Sequence, residues 1–122
     1  MDILFINPGS SKEVYQGLST DYAGIGTPYW ALLLSQSCRS QGYKVGILDI
    51  LAEGISRKDA VERIKTLNPR LISVCVYGEN VNSGTTQMSG AVKLANLIKE
   101  SGVDIPISFV GSHVQALPYK VL

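Results

Sequence analysis

The sequence predicts a doubly wound parallel α/β sheet, and three observations carry that expectation. Short, continuous apolar runs recur along the chain, as in strands buried on both faces. Between them lie segments whose apolar residues repeat at i, i+3 and i+4, the period of a helix packed on one side. The two kinds of segment alternate, and right-handed crossovers then make the strands parallel.

The first run, Ile3-Leu4-Phe5-Ile6, is closed by Asn7-Pro8-Gly9-Ser10 and reads as the first strand. A polar, glycine-bearing stretch from Pro8 to Gly26 follows. Thr27-Pro28 offers an N-cap and a first-turn proline to a helix with apolar residues at Trp30, Ala31, Leu34 and Cys38, stopped near Gly42. Lys44 to Asp49 reads as a second strand ending in an acid. Ser56-Arg57-Lys58-Asp59 has capping-box spacing, with Asp in place of the usual Glu, ahead of Val61, Ile64 and Leu67. Asn68-Pro69 breaks this second helix, and Leu71 to Val76 is a third, central strand bounded by Tyr77-Gly78-Glu79-Asn80. The third helix carries Met88, Ala91, Val92, Ala95 and Ile98 on one predicted face, with Gly102 placed to end it. Pro106 to Val110 is a fourth strand closed by Gly111, and His113 to Leu122 begins a connection or helix. The predicted topology is a flavodoxin-like, Rossmann-like sheet in three layers that stops before a fifth strand.

Composition excludes several function classes. The 122 residues are 45% hydrophobic and 17% charged, with 11 Lys plus Arg against 10 Asp plus Glu. Chains of this size bury roughly two-thirds of their surface without a disulfide or metal staple. No basic cluster is present to track a phosphate backbone, so no nucleic-acid partner is expected. No membrane partner is expected either: the longest apolar stretch, around Tyr29 to Leu34, falls far short of the ~20 residues a spanning helix needs. The amino terminus has Asp2 where an export signal would carry positive charge, so the expected location is cytoplasmic. Cys38 and Cys75 lie in a helix and a strand, where such residues are usually small core hydrophobes.

In a doubly wound sheet the ligand lies outside the carboxyl ends of the strands. That points to the loops Asn7 to Gly26, Asp49 to Ile55, Tyr77 to Thr85 and Gly111 to Pro118. The first is far longer than the roughly two to six residues usual for such a connection. It holds no G-x-G-x-x-G between strand and helix, so Asp49 alone is a weak ribose-binding acid and otherwise a strand-terminal polar residue. Nor does the chain hold a P-loop or a G-x-S-x-G elbow. A receiver domain would need acids where Asn7 and Tyr77 stand. His113 is the only histidine, and with Cys38 and Cys75 it makes no paired metal-ligand spacing. A wall of small and polar groups remains: Gly9, Ser10, Ser11, Gly78, Asn80, Gly111 and Ser112. These are either ordinary turn residues or a surface that lets backbone approach a large, flat, amide-bearing or phosphate-bearing ligand.

Four stretches resemble one family, the cobalamin-binding domain at the amino end of many radical S-adenosylmethionine enzymes of the porphyrin-ester cyclase and methyltransferase type. Ile3 to Pro8 looks like its opening strand ending in Asn-Pro. Ile25-Gly26-Thr27-Pro28-Tyr29-Trp30-Ala31, Gly42-Tyr43-Lys44-Val45 and Asp49 are similar to its L-G-x-x-Y-L-A, G-h-x-V and strand-end acid. Cys75-Val76-Tyr77 falls where related domains place a serine-containing turn. Gly111-Ser112-His113-Val114-Gln115-Ala116-Leu117-Pro118 looks like the family's G-P-H-x-x-A-L-P, although Val110 stands where the first of two glycines is usual.

The resemblance implies one cobalamin-binding domain over residues 1–122, a fragment of a longer chain and not catalytic alone. It implies cofactor contacts at Pro8, Gly9, Ser10, Tyr77, Gly78, Gly111 and Ser112, with Tyr77 either covering the corrin or packing on the third helix. Methionine-synthase-like domains carry D-x-H-x-x-G after the first strand, whereas Asn7 to Lys12 has no histidine. Base-off binding without a protein ligand to cobalt is therefore implied, and His113 belongs to the loop after the fourth strand. S-adenosylmethionine and a 4Fe-4S cluster are expected only in a radical domain elsewhere in the parent chain. The sheet edge left open by a missing fifth strand favours a homodimer. Two other readings stand beside this one: the amino lobe of a nucleotide-sugar transferase, and a non-catalytic α/β interaction domain.

Overall fold

The computed structural model describes residues 1–8, 28–77, 81–111 and 114–115, and for 81–86 the backbone alone. In chain order the elements are β1 (Ile3–Asn7), α1 (Tyr29–Ser40), β2 (Val45–Asp49), α2 (Ile50–Glu53), α3 (Arg57–Leu67), β3 (Leu71–Cys75), α4 (Val81–Glu100) and β4 (Ile107–Val110). The strands form one sheet in the order β2-β1-β3-β4. Every pairing is parallel: Phe5 lies opposite Ile47 and Ser73, and Val74 opposite Phe109. The predicted α/β fold and strand order are present.

Alternation along the strands sorts the core into two layers. On one face Leu4, Ile6, Leu48, Ile72, Val74 and Val76 meet Ala60, Val61 and Ile64 of α3 and Met88, Ala91, Leu94 and Ile98 of α4. On the other, Phe5 and Cys75 meet Ala31, with Leu34 and Cys38 of α1 and Ile47 and Val110 of the sheet around them. The helices α3 and α4 therefore share one face and α1 takes the other. These are the predicted three layers.

Local signals set most helix ends. Ser56 Oγ accepts from the Asp59 N–H at 3.1 Å and starts α3, as its spacing predicts. Asn68 closes α3 in the left-handed conformation (φ 45°), and Gly102 (φ 83°) follows α4.

Four expectations need correction. Pro28 is not in the first turn of α1: it occupies the cap position itself, its carbonyl accepting from the Leu32 N–H at 3.0 Å, and Thr27 lies outside the described residues. On α4 the buried stripe runs through Met88, Ala91, Leu94 and Ile98, while Val92 is exposed and Ala95 only partly buried. The stripe turns toward Leu94 because α4 packs on both the sheet and α3, which puts Val92 about 100° from its centre. The helix also begins at Val81, so 81–85 are not loop. Lastly, Asp49 to Ile55 is not an open loop either, because it contains α2.

Candidate cofactor site

The four strands among the described residues are parallel, so their carboxyl ends share one edge: Asn7 and Pro8 at the end of β1, Asp49 at β2, Tyr77 after β3, and Gly111 after β4. The chain runs outward from β1 to β2, then returns past β1 to β3 and β4. The order thus reverses between β1 and β3, where a doubly wound sheet opens a crevice for its ligand.

On the β2 side the edge is locked by side chains. Asn7 and Asp49 are register partners, and Asn7 Nδ2 donates to Asp49 Oδ1 at 2.9 Å. The same oxygen accepts from the Ala52 N–H at 3.1 Å, which makes Asp49 the N-cap of α2. Asp49 is only 8% exposed. This carboxylate is built into the fold, which accounts for the strand-end acid without a ribose.

Backbone proximity shapes the β3–β4 side. Val76 N–H donates to the Val110 carbonyl at 2.8 Å and extends the ladder beyond Cys75. Gly111 follows with φ 154°, and a Cβ there would stand 2.1 Å from the Val76 carbonyl oxygen. Only glycine lets the two strand ends run so close. Its carbonyl accepts from the Gln115 N–H at 3.1 Å.

Tyr77 sits between these two regions. It packs on the α1 side against the cluster of Phe5, Ala31 and Cys75, not on the helix after β3. Its ring stacks on Trp30 with centroids 4.8 Å apart and planes 21° from parallel. The sequence pattern counts Trp30 among the core positions of α1, whereas the indole is half-exposed and stacked on Tyr77. The available signal was its place in the first turn of that helix, next to the loop after β1.

Cys75 is a buried free cysteine at the end of β3. Burial pushes its thiol up to about 12, and a neutral buried thiol is neither a ready nucleophile nor a ready ligand. Among the described residues no group of three His, Cys, Asp or Glu side chains could hold a metal ion.

Of the expected contact residues, Pro8, Tyr77 and Gly111 lie at the ends of the adjacent strands β1, β3 and β4, and Pro8 is buried. Gly9, Ser10, Gly78 and Ser112 lie outside the described residues, as do Ser11, Asn80 and His113. The described part of the edge offers close backbone at Gly111 and a flat aromatic wall at Tyr77 and Trp30. A flat aromatic surface of this kind can pack against a planar apolar group.

Residues 15–122 match the family described as B12 binding domain. The chain belongs to the B12 binding domain family. That makes it a cobalamin-binding module of α/β fold, with a corrinoid as its cofactor. Searches of the curated proteins and of the solved structures returned no match. The family match takes in α1 and every later element, including the Gly111 to Pro118 run. It lends nothing to the sugar-transferase or interaction-domain readings. No helix among the described residues is long and apolar enough to cross a membrane.

Proposed function

We propose that this B12-binding domain is the corrinoid-holding module of a longer cytoplasmic radical S-adenosylmethionine enzyme, of the methyltransferase or porphyrin-ester cyclase type. The observation that carries this reading is the run Gly111-Ser112-His113-Val114-Gln115-Ala116-Leu117-Pro118, which begins at the glycine wedged against Val76. The missing histidine between Asn7 and Lys12 supports it, because the radical branch commonly binds cobalamin without a histidine there. A bound corrinoid supplies the organometallic chemistry. The chain's own part is to hold and orient it: Pro8, Gly9 and Ser10 after β1, Tyr77 and Gly78 after β3, and Gly111 and Ser112 after β4 form the rim. Catalysis belongs to a further domain that binds the 4Fe-4S cluster, S-adenosylmethionine and substrate.

The test is to express the full parent protein anaerobically, reconstitute it, and assay iron and sulfide with the electron paramagnetic resonance of the reduced sample. A single 4Fe-4S cluster bound by a C-x-x-x-C-x-x-C segment is the expected result. A parent chain with no such segment and no cluster overturns the radical-enzyme reading, and leaves the family assignment as it is.

A further inference from the structure

We propose that Trp30 is a cofactor-contacting residue which, stacked on Tyr77, forms an aromatic shelf for the rim of the corrinoid ring system. The proposal rests on the cobalamin-binding reading and names one contact within it.

The stack joins two elements at the crevice. Trp30 comes from the first turn of α1 and Tyr77 from the residues just past β3. A centroid separation of 4.8 Å with planes 21° apart lies within the range of favourable aromatic pairs, so each ring limits the other's rotamers. Together they form one stiff wall on the α1 side of the gap between β1 and β3.

The packing of α1 does not require an indole at position 30. The helix seats on the sheet through Ala31 and Ser35, which are 1% and 6% exposed, with Leu34 and Cys38 beside them. Trp30 instead keeps 48% of its surface exposed. Its exposed neighbours are apolar toward the start of the helix, at Tyr29, Leu32 and Leu33, and polar toward its end, at Gln36, Ser37, Arg39 and Ser40. The exposed apolar surface is therefore gathered at the end of α1 that lies beside the strand carboxyl ends. Apolar surface gathered in one exposed place is a feature of ligand-binding and interaction sites.

The chemistry agrees. A corrin is a broad, partly conjugated macrocycle edged with methyl groups and amides. Its apolar rim gains from a flat aromatic surface, and the indole N–H can donate to a side-chain amide. Leucine, which stands at this position in the pattern the segment resembles, supplies apolar bulk but no ring face.

Trp30 is the chain's only tryptophan, so all indole emission comes from this position. The experiment titrates the full chain and its W30F, W30L, W30A, Y77A and W30A/Y77A variants anaerobically with cob(II)alamin. Affinity is read by ultrafiltration, Trp30 emission in the chains that retain the indole, and folding by circular dichroism. Binding should quench the emission in proportion to occupancy. W30A and W30L should bind roughly tenfold more weakly, equivalent to about 1.4 kcal/mol, with W30F close to the parent. The double variant should lose less than the sum of the two single losses, since the rings act as a unit. If W30A does not fold, the contrast of W30L with W30F decides the matter. Parent-like affinity in W30L, or unquenched emission at full occupancy, overturns the shelf and leaves the cobalamin reading intact. A parent chain that binds no cobalamin overturns both.

Discussion

Asn7 Nδ2 donates to Asp49 Oδ1 at 2.9 Å across the neighbouring carboxyl ends of β1 and β2. Because the same oxygen caps α2, one carboxylate ties the first strand, the second strand and the helix after it together. Asp49→Ala should destabilise the domain by about 1–3 kcal/mol in urea unfolding, the usual cost of leaving buried donors unpaired. Asp49→Asn, which keeps an acceptor, should cost less. Equal losses for the two variants would show that the acceptor is not what matters.

Gly111 separates backbone geometry from side-chain chemistry. In Gly111→Ala the new methyl would lie 2.1 Å from the Val76 carbonyl oxygen unless β4 shifts away from β3. We expect a loss of about 2 kcal/mol, within the range for overpacked sites, together with weaker retention of cobalamin. Thermal unfolding and ultrafiltration of the same preparation check both, and a variant of unchanged stability contradicts the close approach.

The two thiols should behave differently. Cys75 is buried and its thiol is pushed up from 9.0 to about 12, whereas Cys38 is partly exposed. Disulfide-exchange reagents at neutral pH should modify Cys38 first and Cys75 only when the chain unfolds. The folded pKa lies above the unfolded one, so the stability Cys75 contributes is intact below about pH 9 and is lost as the pH rises from there through 12. Cys75→Val should flatten that alkaline decline. Equal labelling rates for both thiols in the native protein would contradict the burial.

Ser56 tests local helix stability apart from the expected contact residues. Its hydroxyl accepts from the Asp59 N–H, so Ser56→Ala should cost about 1 kcal/mol by urea unfolding. Cobalamin affinity should be unchanged.

The strands were legible because each is a short apolar run with a breaker behind it, as at Ile3 to Ile6 ahead of Asn7-Pro8. Ser56 and Gly102 worked as helix signals because a cap is a local interaction. What escaped depended on tertiary partners. Leu94 was overlooked because α4 has two neighbours, which turn its buried stripe, and a single-face pattern cannot register that. The short α2 escapes the pattern because it has a single turn, too short for a helical period, and its cap is the same Asp49 that ends β2. Trp30 looked like core, and its partner Tyr77 is far from it in sequence. At the site, Pro8, Tyr77 and Gly111 could be placed at the strand ends from the strand pattern alone. Their roles toward a corrinoid came from resemblance, since small and aromatic loop residues do not by themselves name a ligand.

The most direct test of the central claim is anaerobic gel filtration of the full chain after incubation with cob(II)alamin, with the absorption spectrum of the protein fraction recorded. The account predicts close to one corrinoid per chain, co-eluting in a base-off form. Recovery of all the corrinoid in the small-molecule fraction, with the protein folded, would contradict it.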